Sequence, residues 1–357
     1  METNRIRDLV EGCNNLIVKW GNLKRKEGVL IVTDTKVDRQ LITAMESVCR
    51  LEGANVNTLI MDPPDLPHQE PPDCVSAAMT KVNLVVMCVS LLTAHNVATL
   101  KACQAGARFL GVGPSLEAMA SPGAKFPADI IFDISCRIES LWRKGKTIRV
   151  TCERGTDLSA GINPEHVTEG TCGPLGTRLT EGRPRRGRIG FWEGGFGTVG
   201  TWPEWSTEGV VYFDAMQGFS GRLRTPLKVT VKKGKVENIE GASEQVEYFH
   251  SIVRRFGPDA AHIGEIMIGL NPKADVDVGL QDPSHLYAHR AAGTMHIAFG
   301  NSIDDFITVR PGIHLDNLII KPTVTIDGAI CVKNGRLVVL DDPEIQQKIR
   351  DVGINFT

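Results

Sequence analysis

The chain has 357 residues, with 40 basic and 42 acidic side chains and a formal net charge of -2. That balance removes any general electrostatic drive toward nucleic acid or an anionic membrane. No apolar run approaches the roughly 20 residues needed to span a bilayer, so a small-molecule partner and a cytoplasmic location are expected. The length exceeds what one hydrophobic core usually serves, and nine cysteines without CxxC pairing argue against a disulfide framework or a zinc ribbon.

In chain order, Val29–Val32 reads as a buried strand, Asp38–Leu51 as a helix, and Val56–Met61 as a second strand closed by Pro63-Pro64. Leu84–Val89, a helix over Asn96–Ala105 and Phe109–Val112 repeat the unit. Short apolar strands alternating with helices make a parallel α/β sheet. Ligands of such sheets bind beyond the carboxyl ends of the strands, occupied here by Thr33-Asp34 and by Ser90 to His95. No GxGxxG follows the first strand, so a dinucleotide cofactor is not indicated.

From Lys146 onward the texture changes to glycine-punctuated alternation. Ile148, Val150 and Cys152 alternate, and Leu227–Val231 and Val236–Ile239 flank Lys233-Gly234 as a hairpin. Ala329–Leu340 turns at Asn334-Gly335, a type I' signal. One helix is expected over Ser243–Phe256, with Val246, Phe249, Ile252, Val253 and Phe256 on one face. The expected fold class is therefore α/β, with an N-terminal parallel α/β domain over 1–144. A β-rich, mainly antiparallel metal-binding domain over 145–357 follows it.

The chemistry-bearing residues cluster in the second half. In a strand, residues two apart share a face, so Ile313-His314-Leu315-Asp316 points His314 and Asp316 one way. Such a pair suits a hydrogen-bonded surface contact or a divalent metal. His296 and Glu265 each sit in an apolar, glycine-flanked segment, where an unpartnered polar group is costly to bury. Together Glu265, His296, His314 and Asp316 form an N/O set compatible with zinc, manganese, cobalt or iron. The stretch Arg188–Gly197 surrounds aromatics with glycine, consistent with backbone pressed against a ligand or with a twisted hairpin. The arginines of residues 169–191 fit a solvated loop or an anion-binding lid. His95 is either a general base reaching across the domain cleft or an exposed helix-start histidine.

The segments Gly155–Ser159, Ile263–Pro272, Gly293–Gly300 and His314-Leu315-Asp316 resemble the metalloaminopeptidases of the aminopeptidase T type. They also resemble a divergent relative of that family, 2,5-dihydroxypyridine 5,6-dioxygenase, a ring-opening iron enzyme. The resemblance implies an α/β domain joined to a metal-binding β domain, and a homo-oligomer. The peptidase ligands match Glu265, His296, His314 and Asp316, while a further glutamate is replaced by Thr198 and the catalytic tyrosine by Ile303. The dioxygenase pattern matches His314 and Asp316, but its other metal histidine falls on Glu265, and its active-site histidines fall on His95 and Glu193. By this resemblance His95 and Glu193 are the candidate catalytic residues, and Thr156, Asp157, Arg188 and Thr198 the candidate substrate contacts. One divalent ion is expected. The leading expectation is a metal-dependent hydrolase of a small or cyclic amide, acting through metal-activated water. The alternative is an Fe(II)-dependent ring-cleaving dioxygenase of a hydroxylated N-heteroaromatic.

Overall fold

The computed structural model describes residues 2–91, 93–94, 96–164, 167–169, 189–192, 198–201, 203, 205–301 and 312–353. The expected alternation of strand and helix is present at the start. Gly28–Asp34, Asn55–Met61, Leu84–Cys88 and Arg108–Val112 form a parallel sheet, with Asn55–Met61 at one edge and Gly28–Asp34 beside it. A fifth strand, Ile189–Trp192, adds parallel to Arg108–Val112 from far downstream in the chain. The helix Arg39–Leu51 is capped by the Asp38 side chain, which accepts from the Gln40 backbone.

Two antiparallel sheets make up the rest. The eight-stranded sheet runs in the order 235–240, 227–232, 208–213, 157–161, 147–151, 323–326, 329–333 and 336–337. Two of its hairpins turn where the sequence places them: Lys233 and Gly234, and Asn334 and Gly335, all have positive φ, as a type I' turn demands. The six-stranded sheet runs in the order 215–216, 314–319, 295–300, 263–269, 198–201 and 167–169. Ile189–Trp192 and Thr198–Thr201 thus join different sheets, so the glycine-rich stretch between Arg188 and Thr201 is not one hairpin.

One core spans both antiparallel sheets, with Val150, Val211, Val229, Ile266, Ile297, Phe299 and Leu315 among its members. The helix Ala128–Lys144 adds Ile130, Ile134, Ile138 and Trp142 to that core. Their four-residue spacing is helical, a signal present in the sequence but absent from the expectations above. The helix Glu2–Asn14 and the π-helical turn Asn15–Trp20 were likewise not expected.

Candidate metal centre

Three adjacent strands of the six-stranded sheet build the site. Ala298, in the middle strand, lies opposite Glu265 on one side and Asp316 on the other. His296 and His314 each stand two residues from that row, so strand alternation puts Glu265, His296, His314 and Asp316 on one face. The intervening residues, Ile266, Ile297, Phe299 and Leu315, enter the core on the opposite face. Register is fixed locally. Gly300, with φ +95, lies opposite His314, and a Cβ there would come 2.2 Å from the Ile313 carbonyl oxygen. Asp316 is held by its backbone: its N–H donates to Gln217 Oε1 at 3.0 Å, and its carbonyl accepts from Gln217 N–H at 2.9 Å.

The four side chains expected to gather do gather, and all are buried. His296 Nε2 lies 3.1 Å and His314 Nε2 3.3 Å from Glu265 Oε1, while His314 Nε2 is also 3.3 Å from Asp316 Oδ1. His314 Nδ1 donates to the Asn301 carbonyl at 2.7 Å. That bond aims Nε2 at the two carboxylates, as the outer bond of a metal-bound imidazole does. A fifth member is new. His289 is fully buried, its Nδ1 lies 3.6 Å from Asp316 Oδ2, and its ring stacks on His296 with centroids 4.7 Å apart. Donor atoms of Glu265, His314 and Asp316 lie within 4.8 Å of one another, and so do those of His289, His296 and Asp316.

Charge explains why such a cluster suits a cation. Burial alone would push both carboxyls up, but His314 in the first place outweighs it, holding Asp316 well below and Glu265 below the usual carboxylate range. Burial also opposes a charge on His314, yet Glu265 and Asp316 together hold its imidazole well above the ordinary histidine value. For His289 burial dominates and keeps the ring neutral, the form that can ligate. Two carboxylates thus face the His314 imidazole in a buried space. Among the described residues, Glu265 Oε2, His296 Nδ1 and both ring nitrogens of His289 have no hydrogen-bond partner. These N and O donors fit a divalent metal, which would satisfy them together.

The parallel sheet reaches this centre. His68, in the segment after Asn55–Met61 and with φ 60, packs edge-to-face on the His314 ring at 5.1 Å. Its Nδ1 accepts from Ala94 N–H at 3.3 Å, beyond the carboxyl end of Leu84–Cys88. That strand end is where ligand sites of such sheets lie. Other expected residues sit elsewhere. Thr156, just before the strand 157–161 of the eight-stranded sheet, accepts at Oγ1 from the Tyr212 backbone, and Asp157 in that strand pairs with Arg149. Thr198 lies opposite Gly269, four residues along its strand from Glu265, or about 13 Å at the usual rise. His95, Glu193, Arg188 and Ile303 lie outside the described residues. His289 was missed, although His285 and His289 stand four apart in the sequence, a spacing common in ligand pairs.

A family model described as 2,5-dihydroxypyridine 5,6-dioxygenase matches residues 13–339. The chain belongs to this family. No curated protein matches it. The structure of 2,5-dihydroxypyridine dioxygenase from Pseudomonas putida is similar over 94% of this chain and 98% of that one, with 19% identity and a TM-score of 0.72. Wild-type AmpT from Thermus thermophilus is similar over 93% and 100%, with 15% identity and a TM-score of 0.64. At these identities the two structures establish the fold, and the family membership rests on the match over 13–339. Members of this dioxygenase family are enzymes that act on small molecules, and among the described residues no helix is long and apolar enough to cross a membrane.

Proposed function

We propose that the chain is a metal-dependent enzyme that opens the ring of a small hydroxylated N-heteroaromatic, consuming dioxygen. One observation carries this: the dioxygenase family match spans 13–339, and within that span every member of the buried Glu265, His289, His296, His314 and Asp316 cluster is found. The reaction breaks one ring bond and places both oxygen atoms of O2 in the product. A ferrous ion held by these donors would supply the one-electron chemistry that lets O2 react with an aromatic ring. The chain's own residues do the rest. Asn301 and Gln217 hold His314 and Asp316 in place, the apolar face beneath them keeps the sheet rigid, and His68 covers His314. His95 and Glu193 remain the proposed proton-transfer groups.

A second reading has its own support. By the family resemblance Glu265 takes the place of a metal histidine of the dioxygenase, and the Glu265, His314 and Asp316 set has one imidazole and two carboxylates. Such a set also suits zinc, manganese or cobalt and hydrolysis of a small amide by metal-activated water. Oxygen uptake separates the two. With ferrous protein and a panel of hydroxypyridines, the oxygenase reading expects stoichiometric O2 consumption and no turnover under strict anaerobiosis. Anaerobic turnover of an amide with zinc or manganese, incorporating oxygen from water, overturns it in favour of the hydrolase.

A further inference from the structure

We propose that His68 is a positioning residue whose Nδ1, by accepting from Ala94 N–H, holds the loop carrying His95 beside the metal cluster. This rests on the reading in which His95 moves a proton during ring opening. His68 is buried and has φ 60, a left-handed conformation that histidine enters rarely and that persists only where the surroundings enforce it. Two contacts are placed to enforce it. Nδ1 meets Ala94 N–H at 3.3 Å, and the ring rests edge-to-face on His314 with centroids 5.1 Å apart. Accepting there requires an unprotonated Nδ1, so the ring is the neutral tautomer with its proton on Nε2.

The residues that follow grip the same loop. The Gln69 carbonyl accepts from Asn96 Nδ2 at 3.1 Å, and the Glu70 carboxylate accepts from Val97 N–H at 2.5 Å and Ala98 N–H at 3.0 Å. At the loop's other end Asp34 Oδ2 accepts from Ser90 N–H at 2.6 Å. Ala94 and Asn96, the sequence neighbours of His95, are thus tied to His68 and Gln69 in turn. The tie at Ala94 comes from a residue that also touches the metal cluster, so it sets the loop's distance from the cluster as well as its shape. Ala94 is fully buried, in the same core as Val89 and Leu286. A buried N–H deprived of its acceptor is costly, and the loop relieves that cost by moving.

The test joins hydrogen exchange on the metal-free protein to turnover of the ferrous enzyme. His68→Leu removes the acceptor. His68→Asn keeps one, because its Oδ1 stands as many bonds from the backbone as Nδ1 does, and asparagine tolerates a positive φ. In His68→Leu the peptide over 93–98 should exchange at least about tenfold faster than in wild type. Its kcat should fall at least about tenfold with little change in KM, since a proton-transfer group contributes about 100-fold or more. His68→Asn should recover most of both. In a His95→Ala background His68→Leu should cost no further turnover, because it acts through the residue already removed. Unchanged exchange in His68→Leu overturns the proposal, and so does a full additional loss in the His95→Ala background. Equal damage in His68→Asn and His68→Leu would assign the effect to the ring contact with His314 and likewise overturn it. Should His68→Leu fail to fold, His68→Gly suits the positive φ, removes the acceptor and is read in the same way. Failure of ferrous wild type to consume O2 would defeat the oxygenase reading and not the tie at Ala94, which hydrogen exchange then decides alone.

Discussion

The two faces of the six-stranded sheet are equally buried and chemically opposite. Beneath it, Ile266, Ile297, Phe299 and Leu315 pack as an ordinary core, with Phe299 edge-to-face against Phe213 and Phe249. Above it, Glu265, His296, His314 and Asp316 occupy positions one residue away on the same strands, and His289 closes over them. The lower face gains free energy from leaving water, whereas the upper face loses it unless something satisfies its donors. One face holds the strands in register so that the other can keep costly groups in a fixed arrangement.

The largest effect should come from Asp316→Ala, because that carboxylate belongs to both donor sets. Metal measured after desalting should fall to background and turnover with it, while the circular dichroism of the fold persists. Retained metal would show that the polar face is merely a hydrogen-bonded core. Phe299→Ala strikes the other face. It should cost about 3–5 kcal/mol of stability, as truncation of a buried aromatic does, with metal content per folded chain unchanged. Loss of metal at unchanged stability would dissolve the division of labour between the faces.

A buried carboxylate outside the cluster sharpens the contrast. Burial raises Asp282 from 3.8 to about 6, against hydrogen bonds from Ser284, whereas Asp316 and Glu265 are driven the other way by their imidazoles. Since its folded value lies above its unfolded one, Asp282 costs nothing below about pH 4. The penalty grows between pH 4 and 6 and is complete above that, at up to about 3 kcal/mol for a shift of roughly two units. Asp282→Asn keeps the oxygen that accepts from the Ser284 backbone. It should therefore stabilise the protein at pH 7 and do little at pH 4, as followed by denaturant titration at each pH. A stabilisation independent of pH would show that charge is not the cause. The smallest effect is expected at Asp157, exposed and paired with Arg149. Asp157→Ala should leave melting and turnover unchanged. A raised KM would restore the role as substrate contact that the family resemblance assigns to it.

Much of this molecule follows from local sequence. Period-two alternation around His314-Leu315-Asp316 sets which side chains share a face, the positive-φ turns at Lys233-Gly234 and Asn334-Gly335 set two hairpins, and apolar runs with helices between them set the parallel sheet. Periodicity works there because each signal depends on neighbours a few residues apart. His289 and His68 carry no such signal. His68 lies in a segment without regular backbone and His289 in a three-residue 3-10 turn too short to show a period, so no local repeat says where either ring will point. The same holds for Ile189–Trp192, which pairs with a strand nearly 80 residues upstream. By itself, then, the sequence determined which strands would carry the carboxylates and imidazoles and which of these side chains share a face. Only the tertiary structure decided which further histidines meet it, because that depends on how separate segments close over the sheet and exclude water from it.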